Sequence, residues 1–142
     1  MFLLYSKGII YKMTATRSYT KQSELEDLFA SQLDLCKTEM KIIINSDVDV
    51  KREFKFCPTR RFRSDFYLSA NNLSLCIEIE GGIWTNGRHV RPSGYIKDME
   101  KYNICSAMGY TLFRFSGKDV KSGKAINFLL EHLEHISSRF FQ

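Results

Sequence analysis

Three acids, Asp65, Glu78 and Glu80, are the residues of this chain whose types and spacing could do chemistry. Leu75, Ile77 and Ile79 alternate with Cys76, Glu78 and Glu80, the period of two that sends successive side chains to opposite faces of a strand. Both glutamates then share a face, roughly 6.5–7 Å apart by strand rise. Arg63-Ser64-Asp65-Phe66-Tyr67 reads as a short aromatic strand, and Ala70-Asn71-Asn72-Leu73 as the turn that folds it back beside the next one. Asp65 is thereby brought to the glutamates. An aspartate with one or two glutamates offers the hard oxygen donors that Mg²⁺ requires, while leaving positions for water and substrate phosphate. Gly81-Gly82 follow directly and allow a sharp turn and the close approach of another backbone. Each acid alone is also what the solvated face of a hairpin carries. Their conjunction with His89 and a dense basic flank is what points to a site.

The ordered set Asp65, Glu78-Ile79-Glu80-Gly81-Gly82, Gly87-Arg88-His89 and the Asp98, Lys101, Tyr102, Asn103 helix resembles the PD-(D/E)XK nuclease superfamily, nearest to its small phage and bacterial endonuclease-like proteins. The likeness runs over about Ser23 to Ser116. It implies that Asp65 and Glu78 are metal ligands, with help from the Ile79 carbonyl, for Mg²⁺ or Mn²⁺. The family's E-x-K lysine is absent, because Glu80 stands in its place. Either Glu80 is a further ligand, or a lysine of the following helix, Lys101 or Lys97, enters the site. His89 is then a general base or a phosphate ligand, histidine being the side chain poised for proton transfer near neutral pH. Glu26 keeps two readings: partner of Ser23 in a helix capping box, or, by the family pattern, an acid approaching the metal.

The 142 residues fit one domain over 20–142, with 1–19 a leader or an added strand. A net charge of +5 suits a polyanionic partner without demanding one. Cys36, Cys57, Cys76 and Cys105 have neither zinc nor disulfide-framework spacing and read as reduced thiols of a cytoplasmic protein, in the host cytoplasm if phage-encoded. The apolar start Met1–Tyr5 is too short for a signal sequence or a membrane span.

Positioning elements follow from periodicity. Leu25, Leu28, Phe29, Leu33 and Cys36 mark a first helix, starting at Ser23, that packs on the sheet. Val48, Val50, Arg52, Phe54 and Phe56 alternate as a first strand. It leads into a basic flank of Lys51, Arg52, Lys55, Arg60, Arg61 and Arg63, where Pro58-Thr59-Arg60-Arg61 is the expected exposed grip on backbone phosphates. The 83–92 loop carries Trp84, a packing anchor or a base-stacking ring, and a positive rim of Arg88, His89 and Arg91. A second helix over Tyr95–Met108, closed by Gly109, is expected to bury Met99, Tyr102 and Cys105, with Asp98 and Lys101 sharing another side. Tyr110–Phe115 is a strand whose Arg114 is an outward charge or a phosphate contact. A last helix from about Ser122 carries Ile126, Leu129, Leu130, Leu133 and Ile136, with His132 and His135 as surface residues.

The expected fold is α/β, a central mixed sheet of four or five strands flanked by helices, restriction-endonuclease-like. The expected activity is metal-dependent hydrolysis of DNA phosphodiester bonds, structure-specific or nicking. Asp65, Glu78 and Glu80 hold the metal, Lys101 or His89 handles the water, and Arg88, Arg91 and Arg114 steady the charge of the transition state. Two alternatives stand beside it: a non-catalytic nucleic-acid-binding module on the same fold, and a ribonuclease. A junction-resolving enzyme would be a homodimer, since two symmetric cuts need two sites.

Overall fold

The computed structural model describes residues 21–81 and 92–138. The leader 1–19, the loop residues Trp84, Arg88, His89 and Arg91, and the terminal Phe140-Phe141 lie outside them. Four strands form one mixed sheet in the order β1 (Asp49–Lys55), β2 (Arg63–Ala70), β3 (Leu73–Glu80) and β4 (Thr111–Ser116). The first two junctions are antiparallel and β3–β4 is parallel. Asn71-Asn72 is the two-residue loop between paired Ala70 and Leu73, so the β2–β3 hairpin falls where turn chemistry placed it. Parallel pairing of β3 and β4 requires a crossover, and α3 (Pro92–Ala107) supplies it.

Two apolar clusters sandwich the sheet. On one face, Phe66, Leu68, Leu75, Ile77, Ile79 and Phe115 meet Leu25, Phe29 and Leu33 of α1 (Lys21–Leu35). Met40 of α2 (Lys37–Ile44), Val120 of α4 (Gly117–Ser122) and Leu129, Leu133 and Ile136 of α5 (Lys124–Ser138) complete that cluster. On the other face Cys76, Phe56 and Cys57 meet Cys105 of α3. Because β3 is covered on both sides, it is buried almost throughout, polar Glu78 included.

The structure corrects several expectations. Helix α1 is already formed at Lys21, so Ser23 lies inside it and is not its N-cap. Ile42–Ile44 end a separate short helix, α2, closed by left-handed Asn45. The last helix is two: Gly123, at φ 79°, caps α4, and α5 starts at Lys124. In α3, Cys105 is buried and Tyr102 half-buried, but Met99 is exposed together with the whole stretch from Pro92 to Glu100. The β1 alternation also breaks. Val48 and Val50 join the first cluster whereas Phe54 and Phe56 join the second, although all four have the same parity. The switch occurs at Glu53, whose φ of 51° is left-handed and turns the strand over. Among the described residues no helix is long and apolar enough to cross a membrane. All four cysteines are free thiols.

Two glycines test the backbone account. Gly109 ends α3 at φ 90°, and Gly94 lies within α3 with open space where a Cβ would sit. Gly109→Ala is expected to lose about 1–2 kcal/mol through left-handed strain. Gly94→Ala should gain about 0.5–1 kcal/mol from helix propensity. Urea denaturation of the two variants reads these opposite signs.

Candidate active site

The β2–β3 ladder stops at Phe66–Ile77, one step before Asp65 would pair with Glu78. There the side chain of Asp65 replaces the ladder: its Oδ2 accepts the Ile79 N–H at 2.7 Å. Pairing of the two strands ends at this point, and acids from two other elements gather at Asp65. Glu53 falls opposite Asp65, between the pairs Arg52–Phe66 and Phe54–Ser64. Its left-handed backbone turns it toward Asp65 and Glu26 of α1, and carboxylate oxygens of Glu26, Glu53 and Asp65 lie within 4.8 Å of one another. Arg52 fixes the approach of α1: it bonds Asp27 at 2.7 Å and stands 3.7 Å from Glu26.

Glu78 completes the row from the neighbouring strand. It is buried, and Lys101 Nζ lies 2.5 Å from its Oε1. The α3 helix thus delivers a lysine to the strand acid, as the resemblance allowed. Glu80, two residues on, is held differently. Its Oε1 accepts bonds from Tyr102 Oη and Arg114 Nε, both at 2.8 Å, and the Arg114 guanidinium lies 4.1 Å from the Tyr102 ring. Burial and the hydrogen bond to Glu80 push the Tyr102 phenol up, so it stays a donor.

Burial drives both central acids toward their neutral forms. Asp65 is pushed up to about 6, chiefly by desolvation and further by Glu26 and Glu53, while the Ile79 N–H and Lys101 oppose the shift. Glu78 is pushed up to about 7 by desolvation and by Asp65, with Lys101 opposing. Carboxyls crowded against like charge and away from water are poised to exchange protons for a cation, because oxygen-ligated divalent ions bind the carboxylate form.

The structure joins Asp65, Glu78, Lys101 and Glu26, and sets Glu80 apart with Tyr102 and Arg114. Glu53 was missed by sequence reasoning. Its one sequence signal is an acid standing alone among Lys51, Arg52 and Lys55, and its left-handed φ has no signature in residue type. The expected phosphate grip is partly spent inside the molecule. Arg60 forks onto Glu100 at 2.5 and 3.2 Å, Arg52 holds α1, and Arg114 holds Glu80, whereas Arg61 and Arg63 remain exposed. Lys97 and Asp98 are exposed, away from the acids' burial. His132 stacks on Phe128 at 4.3 Å and His135 is exposed. Comparisons of the chain with protein-family models, curated proteins and solved structures return no match.

The raised carboxyl pKa values give a pH signature. Between the unfolded values near 4 and the folded values near 6–7, the folded state binds more protons than the unfolded one, so stability falls as pH rises through this window. With chelator present, the protein is expected to be more stable at pH 5 than at pH 8. Asp65→Asn, which keeps an acceptor for the Ile79 N–H, should remove part of that slope and raise stability at pH 8. Urea titrations at the two pH values measure both effects, and a pH-independent midpoint would contradict the charge crowding.

Proposed function

We propose that this protein is a divalent-metal-dependent endonuclease of the PD-(D/E)XK kind, hydrolysing DNA phosphodiester bonds in the cytoplasm. The observation that carries this reading is the convergence of Glu26, Glu53 and Asp65 within 4.8 Å, beside the Glu78–Lys101 pair. The donor set is all oxygen, which fits Mg²⁺ or Mn²⁺ and not a soft ion. Glu26, Glu53, Asp65 and Glu78 would hold it. When bound, such a cation polarises the phosphate and lowers the pKa of water.

The chain's own residues do the rest. Lys101 balances the charge of Glu78 and sets an ammonium donor at the edge of the acids, where it can orient a water or a phosphate oxygen. It thereby fills from α3 the role that the family assigns to the strand position now held by Glu80. Glu80, clamped by Tyr102 and Arg114, ties β3 to β4 and α3, and so holds the end of the acid-bearing strand in place. Arg61 and Arg63, exposed at the entry to β2, are available to duplex phosphates, as the +5 net charge favours.

Cleavage of supercoiled plasmid, linear duplex, single strand, four-way junction and RNA, each with Mg²⁺, Mn²⁺ or EDTA, tests the proposal. Wild type is expected to cut DNA only with metal. Asp65→Asn should abolish cutting, and Lys101→Ala should lower the rate about 10²–10⁴-fold, the usual worth of a positioned proton-handling group. Glu53→Gln should weaken Mn²⁺ binding by calorimetry. Binding of DNA without cleavage of any substrate would instead assign the fold to a non-catalytic binding module, and preference for RNA would make it a ribonuclease.

A further inference from the structure

We infer that a phosphate-binding subsite lies beside the acids, in the cavity walled by Lys118 and Lys121, and that it takes a backbone phosphate of the bound polynucleotide. The inference rests on the nuclease reading and names how the same site holds its substrate. The cavity, of about 530 Å³, is lined by Leu25, Gly81, Gly117, Lys118, Lys121 and Ser122. That volume lies in the range of small-ligand sites.

Two of its lining residues are sequence neighbours of acids. Leu25 immediately precedes Glu26 in α1, and Gly81 immediately follows Glu80 at the end of β3. The cavity lies past the carboxyl ends of parallel β3 and β4, the end at which open α/β sheets bind ligands. Gly117 keeps these elements together. A Cβ there would meet Leu25 Cδ1 at 2.7 Å and Gly81 Cα at 3.7 Å, so only a glycine lets the start of α4 close on both neighbours without displacing Leu25.

Among the described residues nothing offsets the charge of the cavity. Lys118 and Lys121, three residues apart on α4, are exposed, and among the described residues neither pairs with a carboxylate. Among the described residues no acid lines the cavity; the intervening Asp119 belongs to a different hollow, between β4 and α5. By contrast Arg52, Arg60, Lys101 and Arg114 are committed to internal acids. A strand whose scissile diester sits at Asp65 and Glu78 therefore finds unspent cations one step further on, past Gly81. These two lysines neutralise the phosphates flanking the cut, at the same end of the sheet as Arg61 and Arg63 at the start of antiparallel β2.

The test compares the double variant Lys118→Ala/Lys121→Ala with Lys37→Ala/Lys41→Ala, which removes the same charge from α2. Binding of a labelled DNA duplex is measured in chelator across a salt series. Hydrolysis of bis(p-nitrophenyl) phosphate, too small to span both places, is measured with Mn²⁺. The expected result is a slope of log K against log salt shallower by about 2 for the Lys118/Lys121 variant, close to one per lost phosphate contact. Small-diester hydrolysis and the control's slope should stay at wild-type values. An unchanged slope, or an equal change in the control, overturns the subsite. Binding of millimolar inorganic phosphate to wild type but not to the variant, with no effect of the phosphate or of the substitutions on duplex binding, would make the ligand free phosphate and overturn it as well. Failure of wild type to hydrolyse any diester would instead strike the nuclease reading itself, which the salt slopes do not measure.

Discussion

The rest of this structure depends on a single backbone amide taken by a side chain. Where β2 and β3 should continue their ladder, the Asp65 carboxylate accepts the Ile79 N–H. A backbone donor inside a sheet must find a partner, and supplying it from a side chain lets the strands separate without leaving the amide unsatisfied. The acids Glu26 of α1 and Glu53 of β1 gather at the same level, where Glu53 turns β1 over. The same amide bond favours the charged form of Asp65, so the interaction that opens the sheet also restrains the neutralising push of burial.

Charge balance explains much of the surrounding architecture. Three acids near the opening each meet a cation from a different element: Glu26 with Arg52 of β1, Glu78 with Lys101 of α3, Glu80 with Arg114 of β4. These pairs cross between helices and strands and fix their relative placement as well as offsetting charge. What remains is an excess of carboxylate at Asp65, Glu53 and Glu26. Crowding like charges is unfavourable for folding, and burial of Asp65 adds to that cost.

Much of this was legible in the sequence because the signals were local. Alternation in Leu75–Glu80, the Asn71-Asn72 turn and the strand–helix–strand order around α3 gave a mixed sheet and put Asp65 beside Glu78. Lys101 could be named as a lysine able to reach the acids, since its helix follows the acid strand. Glu53 could not. Its place depends on a left-handed backbone angle and on the register of β1 against β2, neither of which residue type encodes. The fates of Arg52, Arg60 and Arg114 were equally hidden: a basic residue reads alike whether its partner is a distant glutamate or a phosphate. Met99 was misplaced because α3 projects beyond the sheet over its first half, so an apolar residue at helical spacing met no core.

The lysine carried by α3 has a consequence for how the molecule can change. Where catalytic acid and lysine share one strand, two residues apart, a single short segment encodes their geometry and drift at either position is coupled to the other. Here Glu78 and Lys101 are encoded 23 positions apart and meet through helix docking. Glu80 meanwhile fastens β3 to β4 through Arg114. Glu26, Glu53, Asp65, Glu78 and Lys101 come from five separate elements, so they exist as a set only in the fully assembled fold.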